Sequence, residues 1–232
     1  MVICQMLIES CLMSQVLSVE LLLEGTAQLT QRDPDLADVV AQIGPPPLWA
    51  REPGFATLIY IILEQQVSLA SARAAYNRLL VWHLPMTPEA FLELDDTTLK
   101  TIGFSRQKTA YGRFLAQALL AGELDLPGLA DLTDDAVRLE LVKIKGIGRW
   151  TAEIYLMEAL LRPDVWPKGD LALAVAVKRV KRLAVTPNPA ELEIIGEVYH
   201  PWRAVAARLF WHHYLSAPGR KSTGIPIGSI GG

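Results

Sequence analysis

Cysteine is almost absent from this 232-residue chain: Cys4 and Cys11 are its only two, both near the N-terminus and far from any histidine. Two thiols so placed supply neither a four-cysteine iron–sulfur cluster nor a four-ligand zinc site, and they cannot staple the body of the chain. A reducing, cytosolic setting follows from that usage. Sustained period-two alternation and Asn-Gly or Asp-Gly hairpin signals are also missing, so strands should be scarce. No apolar run is long and clean enough to span a bilayer. Even the apolar start, MVICQMLIESCLMSQVLSVELLLE, is interrupted by Gln5, Glu9, Ser10, Gln15 and Glu20. It also lacks the basic n-region and cleavage site of a signal peptide. An amphipathic first helix in a soluble protein without membrane contact is the expectation.

Basic residues are scarce in one half. Residues 1–99 carry 4 Lys and Arg against 12 Asp and Glu, a balance of −8; residues 100–232 carry 18 against 13, a balance of +5. The net charge of −3 therefore conceals a basic C-terminal half. A polyanionic partner responds to the local patch more than to the total, so a nucleic acid remains compatible with it.

What the chain does contain is helical periodicity nearly throughout. Residues 55–80, FATLIYIILEQQVSLASARAAYNRLL, repeat apolar side chains at three- and four-residue spacing with no Gly or Pro after Gly54. Thr87-Pro88 reads as a cap with proline at the first helical position. Asp95-Asp96 opens a short helix that Gly103 ends, and 105–121 forms the next, stopped by Gly122. Thr133-Asp134-Asp135 starts another over 136–142. The fold class is all-α. The Gly/Pro/Ser-rich end, 216–232, is expected to be a flexible tail outside the core.

The stretch LVKIKGIGRWTAE at 141–153 is the most informative. An apolar helix end runs into Gly146-Ile147-Gly148, and a fresh apolar-periodic helix follows. Glycines permit positive φ and close backbone approach, while Ile147 can plug the turn into the core. The following helix presents free N–H groups and the positive end of its dipole, a ready phosphate site. Lys143, Lys145 and Arg149 surround it with no acid among residues 141–152. A helix-hairpin-helix gripping a DNA backbone, independent of base sequence, explains this combination. A plain helix–helix turn is its structural alternative.

With these residues in hand, the chain resembles the helix-hairpin-helix DNA glycosylase superfamily, and within it the 3-methyladenine DNA glycosylase II family. LVKIKGIGRWTAEIYLMEAL followed by VWPKGDLAL resembles the hairpin, the Gly/Pro-rich loop and the catalytic aspartate. ILEQQVSLASA at 62–72, TIGFSRQKTAYGRFLAQAL at 101–119 and HPWRAVAARLFW at 200–211 agree. The resemblance implies an N-terminal extension over 1–17 and a two-lobed helical glycosylase domain over 18–215. It puts the hairpin near 136–160 and a DNA cleft between the lobes.

It implies further that Asp170 is the catalytic carboxylate. Breaking an N-glycosidic bond builds oxocarbenium character on the sugar, which a fixed anion stabilises. Asp170 is equally readable as the N-cap of the next helix, and both roles are compatible. Gln65 and Gln66 match the position of the side chain that wedges into DNA when the damaged nucleotide rotates out. Gln66 is the wedge, and Gln65 is a buried hydrogen-bonding residue at a helix break. Trp150, Ile154, Leu171 and Trp202 match the base pocket, with Trp202 expected near Asp170. Ile154 and Leu171 stand where enterobacterial-type members have tyrosines, so this pocket is more aliphatic. Lys145, Gly146, Gly148, Arg149 and Thr151 match the phosphate grip. A monovalent cation, Na or K, would sit on main-chain carbonyls of Val142, Ile144 and Ile147; no cofactor is required and no iron–sulfur cluster is expected.

Bifunctional relatives carry a Schiff-base lysine where Trp150 stands, so hydrolysis without lyase activity is implied. The implied protein starts base excision repair by releasing alkylated bases from damaged double-stranded DNA. It would act as a cytoplasmic monomer, nucleoid-associated if bacterial. The competing readings are a non-catalytic helix-hairpin-helix DNA-binding protein and a related glycosylase for deaminated or other damaged bases.

Overall fold

The computed structural model describes residues 16–82 and 85–216. Every regular element among them is helical: twelve α-helices and one 3-10 turn. In chain order these are α1 (Val19–Arg32), α2 (Pro34–Ile43), α3 (Phe55–Glu64), α4 (Leu69–Trp82), α5 (Pro88–Glu93) and α6 (Asp96–Ile102). They continue with α7 (Arg106–Leu120), the 3-10 turn Pro127–Asp131, α8 (Asp134–Val142), α9 (Arg149–Glu158), α10 (Leu171–Val180), α11 (Pro189–Glu197) and α12 (Arg203–Ser216). None is long and apolar enough to cross a membrane. Cys4, Cys11, most of the expected extension 1–17 and nearly all of the expected tail 216–232 lie outside the described residues.

The helix starts follow the caps written in the sequence. Thr87, Asp95, Ser105 and Thr133 each accept a backbone N–H from the first turn of the helix they precede, satisfying a donor that has no intrahelical partner. Proline stands in the first turn of α2, α5 and α11, where its missing N–H costs nothing. The described part of the apolar N-terminal run turns helical at Val19, after the Ser18 cap. Leu17 already belongs to the core, fully buried with its N–H on the Leu161 carbonyl.

The described chain divides into two compact units. One contains residues 16–50 and 156–216, the other residues 51–155. In the first, α12 is the central helix, packed by α10, α2 and α1. Eight consecutive residues of α12, Ala204 to Trp211, are buried, so this helix shows no solvent face along that stretch. Its three alanines there, Ala204, Ala206 and Ala207, let neighbours approach closely. Arg208 is charged and wholly buried, and it donates to three carbonyls: Leu48 at 2.9 Å, Ala204 at 3.0 Å and Met157 at 2.6 Å. Burial pushes its pKa down to about 10, opposed by nearby Glu158, and it stays cationic at neutral pH.

Asp33 is the polar centre of the same unit. It caps α2, and its carboxylate accepts from Lys181 Nζ at 2.5 and 2.6 Å and from the Tyr199 hydroxyl at 3.0 Å. Burial acts to raise its pKa, but the Lys181 and Tyr199 hydrogen bonds outweigh it and hold the carboxyl below its usual range. A depressed folded-state pKa stabilises the fold above the unfolded value of about 4 and is lost as pH falls through the folded value. Asp33→Asn should therefore cost about 2–3 kcal/mol at pH 7, because the pair is broken while Asn keeps the cap. Thermal unfolding between pH 3 and pH 7 should show the gap between parent and variant closing below about pH 4.

The second unit is built on α3, buried at nine of its ten positions and packed by α4 and α7. Phe91 of α5 lies edge-on to Phe55 and tilted against Phe104. The helical period over 55–80 is carried by two helices, with a break at Gln65 as the resemblance implies. The chain breaks at Gln65–Ser68, where Gln66 takes a left-handed φ of 56° and Ser68 restarts the helix by accepting the Ser71 N–H. The apolar period by itself does not mark the break, since no Gly or Pro stands there.

Candidate functional site

The hairpin forms as its residues suggest. α8 ends at Val142, residues 143–148 turn, and α9 begins at Arg149. Ile144 and Ile147 are buried, and the Ile147 N–H closes the turn on the Ile144 carbonyl at 3.0 Å. Gly146 has φ +99°, and a Cβ there would stand 2.1 Å from Cγ of Tyr111 on α7. Both properties demand glycine. Gly148 is exposed, and a Cβ on it would meet no atom within 4 Å. Its side of the turn therefore faces open space at the N-terminus of α9.

The basic flank is less free than a reading of residues 141–152 suggests, because acids just outside that window reach in. Lys143 pairs with Glu140 at 2.7 Å and Arg149 with Glu153 at 3.1 Å. Glu153 is buried and also binds Arg138. Burial alone would lower the Arg138 pKa, but Glu153 reverses that and holds the guanidinium charged. Arg149 remains 57 % exposed, so its second face is available. Lys145 is exposed and lies over the Phe114 ring, 4.9 Å from its centroid.

Gln65 is a joint between the helix break and the hairpin. Its amide nitrogen donates to the Gly146 carbonyl and to the Thr151 hydroxyl, each at 3.0 Å. Lys108 closes the C-terminal end of α3 from the other side, donating to the Leu63 carbonyl at 2.6 Å. The turn so held leaves Gln66 exposed in its left-handed conformation. The hydrogen-bonding role read for Gln65 thus has named partners.

Asp170, in the other unit, caps α10: its Oδ1 accepts the Leu173 N–H at 2.6 Å. The same Oδ1 accepts the indole N–H of Trp211 at 3.2 Å. The loop before it is stiff. Trp166 donates to the Leu192 carbonyl at 2.9 Å, Lys168 pairs with Glu193, and the Asp170 N–H returns to the Pro167 carbonyl at 3.1 Å. Leu171, next to the carboxylate, is 73 % exposed.

Trp202 does not provide the indole at this carboxylate. It is 1 % exposed, its ring lies against Gly25 and its N–H goes to Gln28 Oε1 at 2.8 Å. Trp211 takes that place. It stands in the same WRAVAARLFW segment, and helical burial alone does not separate one tryptophan from the other. Ile154 is buried and Trp150 half-buried, both in α9. Tyr155 is core: its hydroxyl accepts the Gly54 N–H at 3.0 Å, and burial pushes its pKa up to about 12. The described residues contain no cluster of three or more metal-ligating side chains.

Comparison with known proteins places this geometry. The DNA-3-methyladenine glycosylase 1 of Schizosaccharomyces pombe is 31 % identical over 166 residues, covering 69 % of this chain and 72 % of the relative. A solved structure of an S. pombe 3-methyladenine DNA glycosylase in complex with abasic DNA superposes with a TM-score of 0.77 at 28 % identity, over 81 % of this chain and 95 % of that one. A DNA-3-methyladenine glycosylase of Bacillus subtilis is 27 % identical over 170 residues, 68 % of this chain; the chain spans 56 % of that relative's length and 55 % of another from the same organism. Residues 59–201, from the middle of α3 to the turn before α12, match the HhH-GPD superfamily base excision DNA repair protein family, and the chain belongs to that family.

Proposed function

We propose that this protein is a monofunctional DNA glycosylase, hydrolysing the N-glycosidic bond of alkylated bases of the 3-methyladenine and 7-methylguanine type in duplex DNA. Asp170 is the observation that carries the reading. It is a half-buried carboxylate pinned by two N–H donors at a helix N-terminus, in a chain of the HhH-GPD family. As the base departs, positive charge develops on the sugar, and a fixed anion lowers the energy of that state without reorganising. The same carboxylate can orient the attacking water. An alkylated purine already carries positive charge and leaves without strong protonation.

The hairpin supplies the grip. The N-terminus of α9 offers backbone N–H groups to a phosphate, with Lys145, Arg149 and Thr151 around it and Gly148 permitting close approach. Gln66, exposed and left-handed, would fill the gap left by a rotated nucleotide. Trp150, Ile154 and Leu171 would meet the base, and cation–π attraction from the tryptophan suits a cationic one. A Na or K ion would rest on the carbonyls of Val142, Ile144 and Ile147. The carbonyls at a helix C-terminus lack intrahelical donors, although that of Ile144 also accepts from Ile147. The protein would act inside the cell as a monomer.

Hydrolysis without strand cleavage follows from Trp150, since an indole cannot form an imine with the sugar. Borohydride reduction during turnover on methylated duplex should trap no protein–DNA adduct, and gels should show intact strands until alkali is added. A trapped adduct would identify a lysine nucleophile elsewhere. Release of 3-methyladenine and 7-methylguanine from methylated duplex tests the function itself. The second reading, DNA binding without chemistry, draws on the capping bond, which by itself accounts for a carboxylate at 170. Tight binding to abasic-analogue duplex with no release of any damaged base would favour it.

A further inference from the structure

The break between α3 and α4 has no local cause, since neither Gly nor Pro stands in Gln65–Ser68. In a continuous helix the Val67 N–H would close on the Leu63 carbonyl, four residues back. Here it turns to the Glu64 carbonyl at 3.5 Å, and the Leu63 carbonyl instead accepts Lys108 Nζ at 2.6 Å. Lys108 stands in the first turn of α7, where a cation opposes that helix's dipole, and burial pulls its pKa down. The C-terminal end of α3 offsets both. It offers a carbonyl without an intrahelical donor and, beside it, the Glu64 charge that acts to raise the Lys108 pKa.

Glu64 is itself fixed. Its buried carboxylate takes both guanidinium arms of Arg51, at 2.9 and 3.0 Å. Arg51 lies over the Tyr60 ring, 4.7 Å from its centroid, and Tyr60 of α3 stacks on Tyr76 of α4 with centroids 4.4 Å apart. The helices on either side of the break are thus locked to each other, leaving the path of residues 65–68 to be set by Gln65 and Lys108. Gln66 on that path has φ 56°, which a residue with a Cβ keeps only where its surroundings hold it.

We propose that Lys108 is a positioning residue: by occupying the Leu63 carbonyl it stops α3 from running on through Gln66, and so presents that side chain to the gap in the duplex. The role rests on the glycosylase reading above, with Gln66 as the wedge. Without the ammonium, the Leu63 carbonyl returns to the Val67 N–H, α3 extends, and Gln66 loses the left-handed conformation that presents it. Misplacing such a side chain lowers rate without touching the reacting groups.

Lys108→Met keeps the stem and removes the donor. Single-turnover release of 3-methyladenine from methylated duplex should fall about ten-fold, while Lys108→Arg, which still donates, stays within about three-fold of the parent. In a Gln66→Ala background, Lys108→Met should cost less than about two-fold more, because a residue that acts through another is not additive with it. A general loss of packing would lower both backgrounds equally. Independently of activity, the three-bond coupling between the Gln66 amide and Hα protons, which reports φ, should shift to a helical value in Lys108→Met and hold in Lys108→Arg. If the parent releases base and Lys108→Met matches its rate, slows both backgrounds alike or leaves the coupling in place, the positioning role is overturned while the glycosylase reading stands. A parent that releases no base overturns that reading and this role with it. Should Lys108→Met fail to fold, Lys108→Gln, polar but one bond shorter, replaces it in the same measurements with the same outcomes.

Discussion

Asp170→Asn should fold like the parent and release alkylated bases at least about a hundred-fold more slowly, the order of loss seen when a preorganised electrostatic group is removed from a transition state. The separation of effects comes from the two jobs of the side chain. Asparagine is as good an N-cap as aspartate, and its amide oxygen can accept from both Leu173 and Trp211. Stability should therefore change by less than about 1 kcal/mol. What asparagine lacks is the negative charge that faces the developing oxocarbenium. Thermal unfolding beside single-turnover release checks both halves. Equal rates for parent and variant would leave Asp170 a cap and nothing more.

Gly146→Ala should be the most damaging single methyl in the hairpin. The new Cβ would overlap the Tyr111 ring, 2.1 Å from Cγ, on a backbone at φ +99°. Overpacking of this kind costs about 1–3 kcal/mol, and the conformational strain adds about 1 kcal/mol more. The Gly146 carbonyl also receives Gln65, so displacing the turn would disturb the segment bearing Gln66. Gly148→Ala provides the contrast. Nothing lies within 4 Å of its Cβ and its φ is not in the left-handed range, so the fold should tolerate it. If the DNA backbone approaches there, binding should weaken about ten-fold with no change in melting temperature. Loss of stability in both variants, with equal DNA affinity, would separate the turn from the DNA.

The elements with local signals were legible in the sequence. Thr87, Asp95, Ser105 and Thr133 cap helices because a short oxygen-bearing side chain before an apolar period has little else to do there. The Gly146-Ile147-Gly148 turn was legible for the same local reason. The break at Gln65–Ser68 was legible from the resemblance and not from the apolar period, because what holds it is distant in sequence: the Gly146 carbonyl and the Thr151 hydroxyl accept the Gln65 amide, and Lys108 closes α3. The ion pairs of Lys143 and Arg149 draw on acids just outside the basic stretch 141–152, Glu140 and Glu153, which helical i,i+3 and i,i+4 spacing brings to them. Trp211 escaped for a different reason. Trp202 and Trp211 lie on one apolar segment, and only tertiary packing sends one indole to Gln28 and the other to Asp170.

The most direct measurement is chromatography of the bases freed when the parent and Asp170→Asn are incubated with methylated duplex. The expected result is free 3-methyladenine and 7-methylguanine with strands left intact from the parent, and almost none from the variant. Tight binding to abasic-analogue duplex with no base freed by the parent at any protein concentration would contradict the proposed chemistry and leave a DNA-binding protein in its place.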